Sequence, residues 1–508
     1  MNKKQISYPI NDRWSILWLL VATVLGIFSV GIGRWLIPVT AWLSAIFYIR
    51  FFRTQRRAWL AYLLTSISII IITAITTPSW MASSITSIII GVTLLGPLPL
   101  FLDRWLAPRL PGFASTLVFP LAWTALDFIN ANTNPMPIST SPYALYSDLV
   151  LLQLISLTGI WGLSFLSAWL GSIVNWAWER EFAWHEIKRG ALIYIGLMLL
   201  VVAYGQARLW FAPTPAQTVR VAGFTMVDWR VNQPAMTRTF TTDMEAFRQM
   251  MEERYQLYFD ATIKEARAGA KMISWPENAM TVALEDEPAL LARLAELAKQ
   301  EGIYLAAPIV EMSVDSPYAN KLIIFDPQGQ IVLEHYKYGG AEPDRITGDG
   351  ILHTVQTPFG VISGIICWDI EFQGTVTQAG RNDTDILFTP NMTFRETDPI
   401  FAYIAVMRAI ENGVSVVHIS DGGLSVAVDP FGRMLATMDH YPKGERALVA
   451  QVPTKGVWTL YPIIGDLFGW LAVVGTVALV IWGVVQSLLS RKAKAASPES
   501  QSQVGQAI

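Results

Sequence analysis

The sequence predicts a multi-span α-helical membrane domain joined to one water-exposed, layered α/β domain, and three observations carry that reading. Hydrophobic residues make up 52% of the 508 positions and the mean hydropathy is +0.38. That is too apolar for a chain solvated by water alone, so lipid must be part of its solvent. Apolar stretches near the roughly 20 residues that a spanning helix needs fall in two blocks, seven before residue 212 and one after residue 460. Between them, residues 213–460 hold 20 Lys and Arg against 31 Asp and Glu, an acidic block with the rhythm of a globular domain.

The expected spans lie near Trp14–Ile32, Trp35–Ile49, Trp59–Ile75, Ala82–Leu102, Phe113–Ile129, Leu149–Trp176, Ala191–Phe211 and Pro462–Leu489. The first is too long for a cleavable signal peptide and runs straight into further spans. Basic residues of short loops stay cytoplasmic, and they fall on alternate loops: Lys3, Lys4 and Arg13; Arg50, Arg53, Arg56 and Arg57; Arg104 and Arg109; Arg180, Lys188 and Arg189; Arg491, Lys492 and Lys494. The opposite loops, Thr76–Met81 and Asn130–Asp148, contain no Lys or Arg. The organisation expected is therefore a seven-span membrane domain at 1–212, an extracytoplasmic domain at 213–460, an eighth span at 461–490 and a disordered cytoplasmic tail at 491–508, with both termini cytoplasmic. The Ser-, Gln- and Ala-rich composition is what assigns the tail.

Inside the acidic block, Val219–Val227 reads as a strand and Asp243–Gly269 as a polar helix. Lys271–Trp275 and Ile303–Val310 read as buried strands around a helix near Pro288–Gln300. Asp326–Gly329 turns Lys321–Phe325 into Ile331–His335, and Asp429–Gly432 marks a second hairpin. Val361–Trp368, Asp385–Pro390 and Val414–Ile419 continue the buried-strand series. About 250 residues of this kind are enough for a full core.

Composition also excludes functions. No basic cluster offers a nucleic-acid footprint. A single cysteine rules out an internal disulfide framework and a cysteine-built zinc site. No metal and no cofactor are expected.

The chemistry-bearing residues sit at strand ends. Cys367 closes the apolar run Gly364-Ile365-Ile366-Cys367, at the sheet edge where α/β ligand sites gather. Glu277 follows another apolar strand in Ser274-Trp275-Pro276-Glu277-Asn278, and Lys337 follows Ile331–His335 between Tyr336 and Tyr338. Each alone is an ordinary residue: a small core thiol, a turn carboxylate, a snorkelling lysine. Together they suit acyl transfer. A thiol is mostly protonated at neutral pH and needs a base, for which Glu277 is the candidate. The oxyanion formed on attack needs fixed donors, for which Lys337 and the backbone N–H of Trp368 are candidates.

Glu277, Lys337 and Cys367, in that order and context, resemble the nitrilase, or carbon–nitrogen hydrolase, superfamily, whose members use Glu, Lys and Cys on an α-β-β-α sandwich. With its flanking spans the chain is similar to one branch of it, the apolipoprotein N-acyltransferases. The likeness runs through Leu152-Gln153-Leu154, Gly159–Leu166, Arg408–Gly413, the Asp429–Gly432 turn, Thr459-Leu460-Tyr461 and Gly465-Asp466, with spans one to four matching in hydropathy only. The resemblance implies a multi-pass bacterial plasma-membrane enzyme, a phospholipid acyl donor, a thioester on the cysteine, and the amine of a diacylglyceryl-cysteine lipoprotein as acceptor. Several segments depart from the family pattern. A Pro-Phe-Gly-Glu segment with a second glutamate is replaced by Tyr338-Gly339-Gly340-Ala341-Glu342-Pro343, which leaves Glu342 as the stand-in. Cys-Tyr-Glu becomes Cys367-Trp368-Asp369, so Asp369 is the other candidate for a second acid or substrate-positioning group. A Thr-Asn-x-Gly element becomes Ser420-Asp421-Gly422-Gly423, and Gln-Gly-Asn becomes Met226-Val227-Asp228-Trp229. Two alternatives stay open: a membrane-anchored amidase in which water resolves the acyl-enzyme, and a non-catalytic lipoprotein-binding homologue.

Overall fold

Chain immersed in hydrocarbon must satisfy its own N–H and C=O groups, which favours unbroken helices. The computed structural model describes residues 8–29, 36–77, 91, 93–134, 142–226, 233–340, 342, 344–442 and 446–495. Before residue 212 it is built from helices, chiefly Ser15–Ser29, Pro38–Thr54, Ala58–Thr76, Leu98–Leu106, Val118–Thr133, Ile160–Trp178 and Trp184–Trp210. Among the described residues five helical segments are long and apolar enough to cross a bilayer: Ala58–Thr76, Gly112–Thr133, Ile160–Trp178, Trp184–Trp210 and Leu467–Ser490. The first expected span is a 15-residue helix in its described part. The second runs on to Thr54, beyond the Ile49 expected. Residues 82–90 and 92 of the fourth, and the segment at Val227–Trp229, lie outside the described residues.

Two expectations need correction. Arg50 and Arg53 are not loop residues; they close the helix Pro38–Thr54 and are buried. Arg53 forks onto Asp103 at 2.8 and 2.9 Å and reaches Glu179 at 2.9 Å, so its charge is neutralised inside the protein. The last helix, Leu467–Ala495, continues past Ser490, so residues 491–495 are helical where a disordered tail was expected to begin.

The sixth apolar stretch is interrupted. Leu149–Leu152 and Ile155–Thr158 are single turns, and Ile160–Trp178 starts afresh after Gly159. Gly159 has φ +61, where a side chain is strained, and a Cβ there would strike the Tyr461 ring.

In the α/β domain the strands are β1 (Thr218–Thr225), β2 (Met272–Ser274), β3 (Met280–Ala283), β4 (Tyr304–Met312), β5 (Ala319–Phe325), β6 (Ile331–Tyr336), β7 (Thr354–Thr357), β8 (Gly360–Gly364), β9 (Ile386–Phe388), β10 (Asn391–Met392), β11 (Ser415–His418), β12 (Ser420–Asp421), β13 (Leu424–Val428), β14 (Met434–Asp439) and β15 (Arg446–Pro453). One sheet runs β15-β1-β2-β4-β5-β6, with β3 also on β4, and the other runs β14-β13-β11-β9-β8-β7. Each has a parallel centre, β1-β2-β4 and β8-β9-β11, with antiparallel flanks. Their inner faces meet through Val221, Met272, Leu322 and Ile324 on one side and Ile362, Ile386, Phe388 and Val417 on the other. Helices Met244–Arg267 and Glu287–Glu301 cover the first sheet. Helices Gln373–Arg381 and Ile400–Asn412 cover the second, which completes an α-β-β-α sandwich.

The sandwich rests on the membrane domain through that last layer. Phe128, Leu152, Ile155 and Trp161 share one buried cluster with Ile370, Val376, Ile404 and Ile410. Polar ties cross the same seam. Arg408 donates to Glu411 at 2.6 Å, to the Ile370 carbonyl at 2.8 Å and to the Tyr143 hydroxyl at 3.0 Å. Tyr143 in turn donates to Glu371 at 2.8 Å, and Glu411 accepts the N–H of Ile160 at 2.9 Å, where a helix N-terminus favours negative charge. One guanidinium thus serves two buried carboxylates. Burial pushes Glu371 up from 4.5 to about 7 against the opposing pull of Arg408 and the Tyr143 hydroxyl. Its neutral form is favoured by folding, so this stabilisation is complete below pH 4.5 and is lost as pH rises through about 7. We predict that Glu371→Gln, neutral at every pH, flattens the decline in thermal midpoint between pH 5 and 8. Parallel curves for the variant and the wild type would show that Glu371 does not titrate in this window.

Candidate active site

Three loops leave the same edge of the sandwich. The first follows β2, where Pro276 ends the strand and delivers Glu277; the second follows β6 and carries Lys337; the third follows β8 and carries Cys367. The strand before the thiol ends at Gly364, earlier than the sequence suggested, and Cys367 opens a tight 3-10 turn, Cys367–Glu371. Its φ of +48 is rare for a residue with a side chain. The conformation is held because the Cys367 N–H donates to the Pro390 carbonyl at 2.7 Å and the Ile366 N–H to Asp369 at 3.0 Å. Strain of this kind is maintained where the surroundings over-determine it, and here it lifts the thiol off the strand.

Residues separated by up to 90 positions converge. Glu277, Lys337 and Cys367 are 2%, 6% and 4% exposed, so their charges act with little screening. Glu277 Oε1 accepts Lys337 Nζ at 2.8 Å and Asn320 Nδ2 at 2.8 Å, and its Oε2 accepts the Met392 N–H at 3.1 Å. The thiol contacts the Met392 carbonyl at 3.6 Å and hydrogen-bonds Glu277. One backbone unit on β10 therefore touches both the Glu277 carboxylate and the Cys367 thiol. Burial raises the thiol well above its ordinary range and the Glu277 charge raises it further, while Lys337 pulls the other way. Burial alone would lower Lys337, but Cys367 and Glu277 beside it hold the ammonium above its usual value. The resting arrangement is thus a protonated thiol against a carboxylate–ammonium pair, which suits proton transfer at the moment of attack.

The second candidate acid sits at the rim. Glu342 has a 43% exposed side chain, lies 3.9 Å from Lys337 Nζ and is bound by Arg345 Nε at 3.1 Å. Asp369 lies behind the site, with both carboxylate oxygens engaged. One takes His335 Nε2 at 2.8 Å and the Ile366 N–H; the other takes the N–H groups of Tyr338 at 2.9 Å and Gly339 at 2.6 Å. It ties the lysine loop to the cysteine turn from within. Trp368 follows Cys367 in that turn and packs edge-on against Phe401.

Sequence reasoning missed Asn320, Arg345, His335 and Met392. Arg345 clamps the lysine loop through the carbonyls of Lys337 and Gly339. Asn320 gave no usable signal, because it shares the start of β5 with another polar residue, Lys321.

A carbon–nitrogen hydrolase family model matches residues 231–457. Three similar bacterial proteins carry the name apolipoprotein N-acyltransferase. That of Geobacter metallireducens is 24% identical over 72% of this chain and 73% of its own length. That of Bradyrhizobium diazoefficiens is 25% identical over 64% and 65%, and that of Rickettsia prowazekii 23% over 74% and 76%. Among solved structures, an amidase from Nesterenkonia sp. aligns at 18% identity and a TM-score of 0.39, covering 48% of this chain and 94% of its own.

Because Cys367 is the only thiol, its alkylation reports the local field directly. At pH 8, Glu277→Gln removes the charge that raises the thiol and should speed iodoacetamide labelling above wild type. Lys337→Ala removes the opposing cation and should slow it. Intact-mass time courses measure both, and the reverse order would detach the thiol from this pair. On the matched family model and the fold, residues 231–457 are a carbon–nitrogen hydrolase domain, carried by a chain with apolar helices of membrane-spanning length on both sides of it.

Proposed function

We propose that this chain is a bacterial membrane acyltransferase of lipoprotein maturation. It moves a fatty acyl group from a phospholipid, through a thioester on Cys367, to the N-terminal amine of a diacylglyceryl-cysteine lipoprotein. The observation that carries the reading is the dry contact of one thiol with a carboxylate–ammonium pair in a domain seated on membrane-length helices. The names of the bacterial relatives support the substrate class. Seating the site on the membrane also suits the chemistry, since drawing an acyl chain into water costs about 0.8 kcal/mol per CH₂.

In the first half-reaction Glu277 takes the thiol proton as sulfur attacks the ester carbonyl. Lys337 and the Trp368 N–H bear on the oxyanion, and Glu277 returns the proton to the departing lysophospholipid oxygen. In the second, the acceptor amine attacks the thioester and its proton passes through Glu277 to the released sulfur. Arg345 and Asp369 hold the lysine loop in place, and Glu342 stands at the rim as the acid nearest an entering substrate. The proposed topology has eight spans and cytoplasmic termini, with the membrane domain at 1–212, the catalytic domain at 213–460 outside the cytoplasm and the last span at 461–490.

Incubation with phospholipid and no amine should trap an acyl-enzyme that hydroxylamine cleaves at neutral pH, and Cys367→Ala should abolish it while the protein stays folded. Adding a diacylglyceryl lipopeptide should yield acylated peptide; free fatty acid alone would mark a hydrolase instead. Transfer at the wild-type rate by the alanine variant would remove Cys367 from the mechanism. For the topology, a reporter fused after Ser490 should score cytoplasmic and one inserted near Gln328 extracytoplasmic, and the opposite pattern would overturn it.

A further inference from the structure

A primary amide has two different ends, and at Asn320 only one of them is used. Asn320 lies on β5, 5% exposed, beside the proposed catalytic group. Glu277 is an acceptor, so the end facing it must be the NH₂, which donates to Oε1 at 2.8 Å. The other end, Oδ1, is buried with no donor in reach among the described residues. The Asn320 backbone carbonyl accepts the Lys337 N–H at 2.8 Å, so this residue is tied to the lysine through its main chain and to the glutamate through its side chain. Tyr318, just ahead of β5, bridges Arg345, whose guanidinium clamps the lysine loop, so the start of β5 lies beside the site.

A buried carbonyl oxygen without a donor is costly, because it has given up its bond to water and received none in return. Oδ1 and Nδ2 share one carbon, so the unused acceptor lies within a few bond lengths of the Glu277 carboxylate. We propose that Asn320 Oδ1 is the docking point of the amine nucleophile, and so the group that favours an amine over water in resolving the thioester. This rests on the proposed acyl transfer and adds a residue to its second half. The entering amine donates one N–H to Asn320 Oδ1, which turns its lone pair toward the thioester carbonyl. The C–N bond forms as a second N–H proton passes to Glu277; the C–S bond then breaks and the proton moves from Glu277 to sulfur. The acceptor, largely ammonium at neutral pH, docks through a charge-assisted N–H that water cannot match, then gives one proton to solvent and attacks as the neutral amine.

The test separates the two half-reactions in purified full-length protein. Acyl-enzyme is formed with phospholipid, then split into aliquots with buffer alone or with a diacylglyceryl lipopeptide, and both decays are followed by intact mass. In Asn320→Ala the peptide-dependent decay should fall about tenfold or more relative to wild type, the scale of one hydrogen bond to a charged group. Hydrolysis and acylation should fall by clearly smaller factors, so the amine-to-water partition shifts toward water. Asn320→Ser, which keeps a short acceptor, should recover part of the partition and serves also if the alanine variant folds poorly. Equal falls in acylation, hydrolysis and aminolysis in both variants would overturn the inference and leave Asn320 as a support for Glu277 alone. A wild-type protein that forms no acyl-enzyme refutes the proposed function itself, and that result is read before any Asn320 variant is compared.

Discussion

A carboxylate taken out of water loses several kcal/mol of hydration, and it stays ionised only if donors replace what water supplied. Glu277 meets that demand with an ammonium, a side-chain amide and a backbone N–H, all within 3.1 Å. Each donor comes from a different stretch of chain: the loop after β6, the strand β5 and the strand β10. Satisfying this one group therefore fixes the relative positions of four segments, and the thiol is seated as a consequence through Met392. The sandwich can be regarded as the scaffold that makes such a convergence possible, because parallel strands at the centre of both sheets end on the same edge.

The same requirement explains the state of the thiol. Lys337 is committed to Glu277, so Cys367 faces an ion pair and not a lone cation, and burial then dominates. A pre-formed thiolate would be exposed to oxidation whenever the site is open. A protonated thiol that releases its proton only on attack avoids this, and it makes the position of Glu277 more consequential than its intrinsic basicity. Asp369 and Arg345 act on that position indirectly, since they hold the loop from which Lys337 projects.

A second buried cluster, Arg408 with Glu411, Glu371 and Tyr143, solves a different problem with the same physics. It joins the sandwich to the membrane domain where apolar packing alone would allow sliding, because hydrogen bonds to charged groups are directional and apolar contacts are not. Through Glu411 it also caps the helix that starts at Ile160. The cysteine turn ends at Glu371, so the thiol is a few residues from a group anchored in the membrane domain. The candidate site and the helices before residue 212 are in this sense packed as one unit.

Much of this was legible in the residues themselves. Hydropathy identified apolar helices on both sides of an acidic domain, and apolar runs bounded by turns located about half of the strands within two residues, because a buried strand must be apolar along its length. The positions of Glu277, Lys337 and Cys367 at strand ends were also visible, since polar groups stand out against the apolar runs that carry them. Other features depended on groups far apart in the chain. Arg53 looked like a loop charge until Asp103 was found beside it, Asp369 like a substrate-facing acid until four donors were found around it, and Asn320 like nothing at all. Sequence by itself determined which segments would be buried and where the chemistry would stand, because burial and periodicity are local properties. Only the tertiary structure decided which buried polar group answers which, because a hydrogen bond reaches about 3 Å in space and takes no account of distance along the chain.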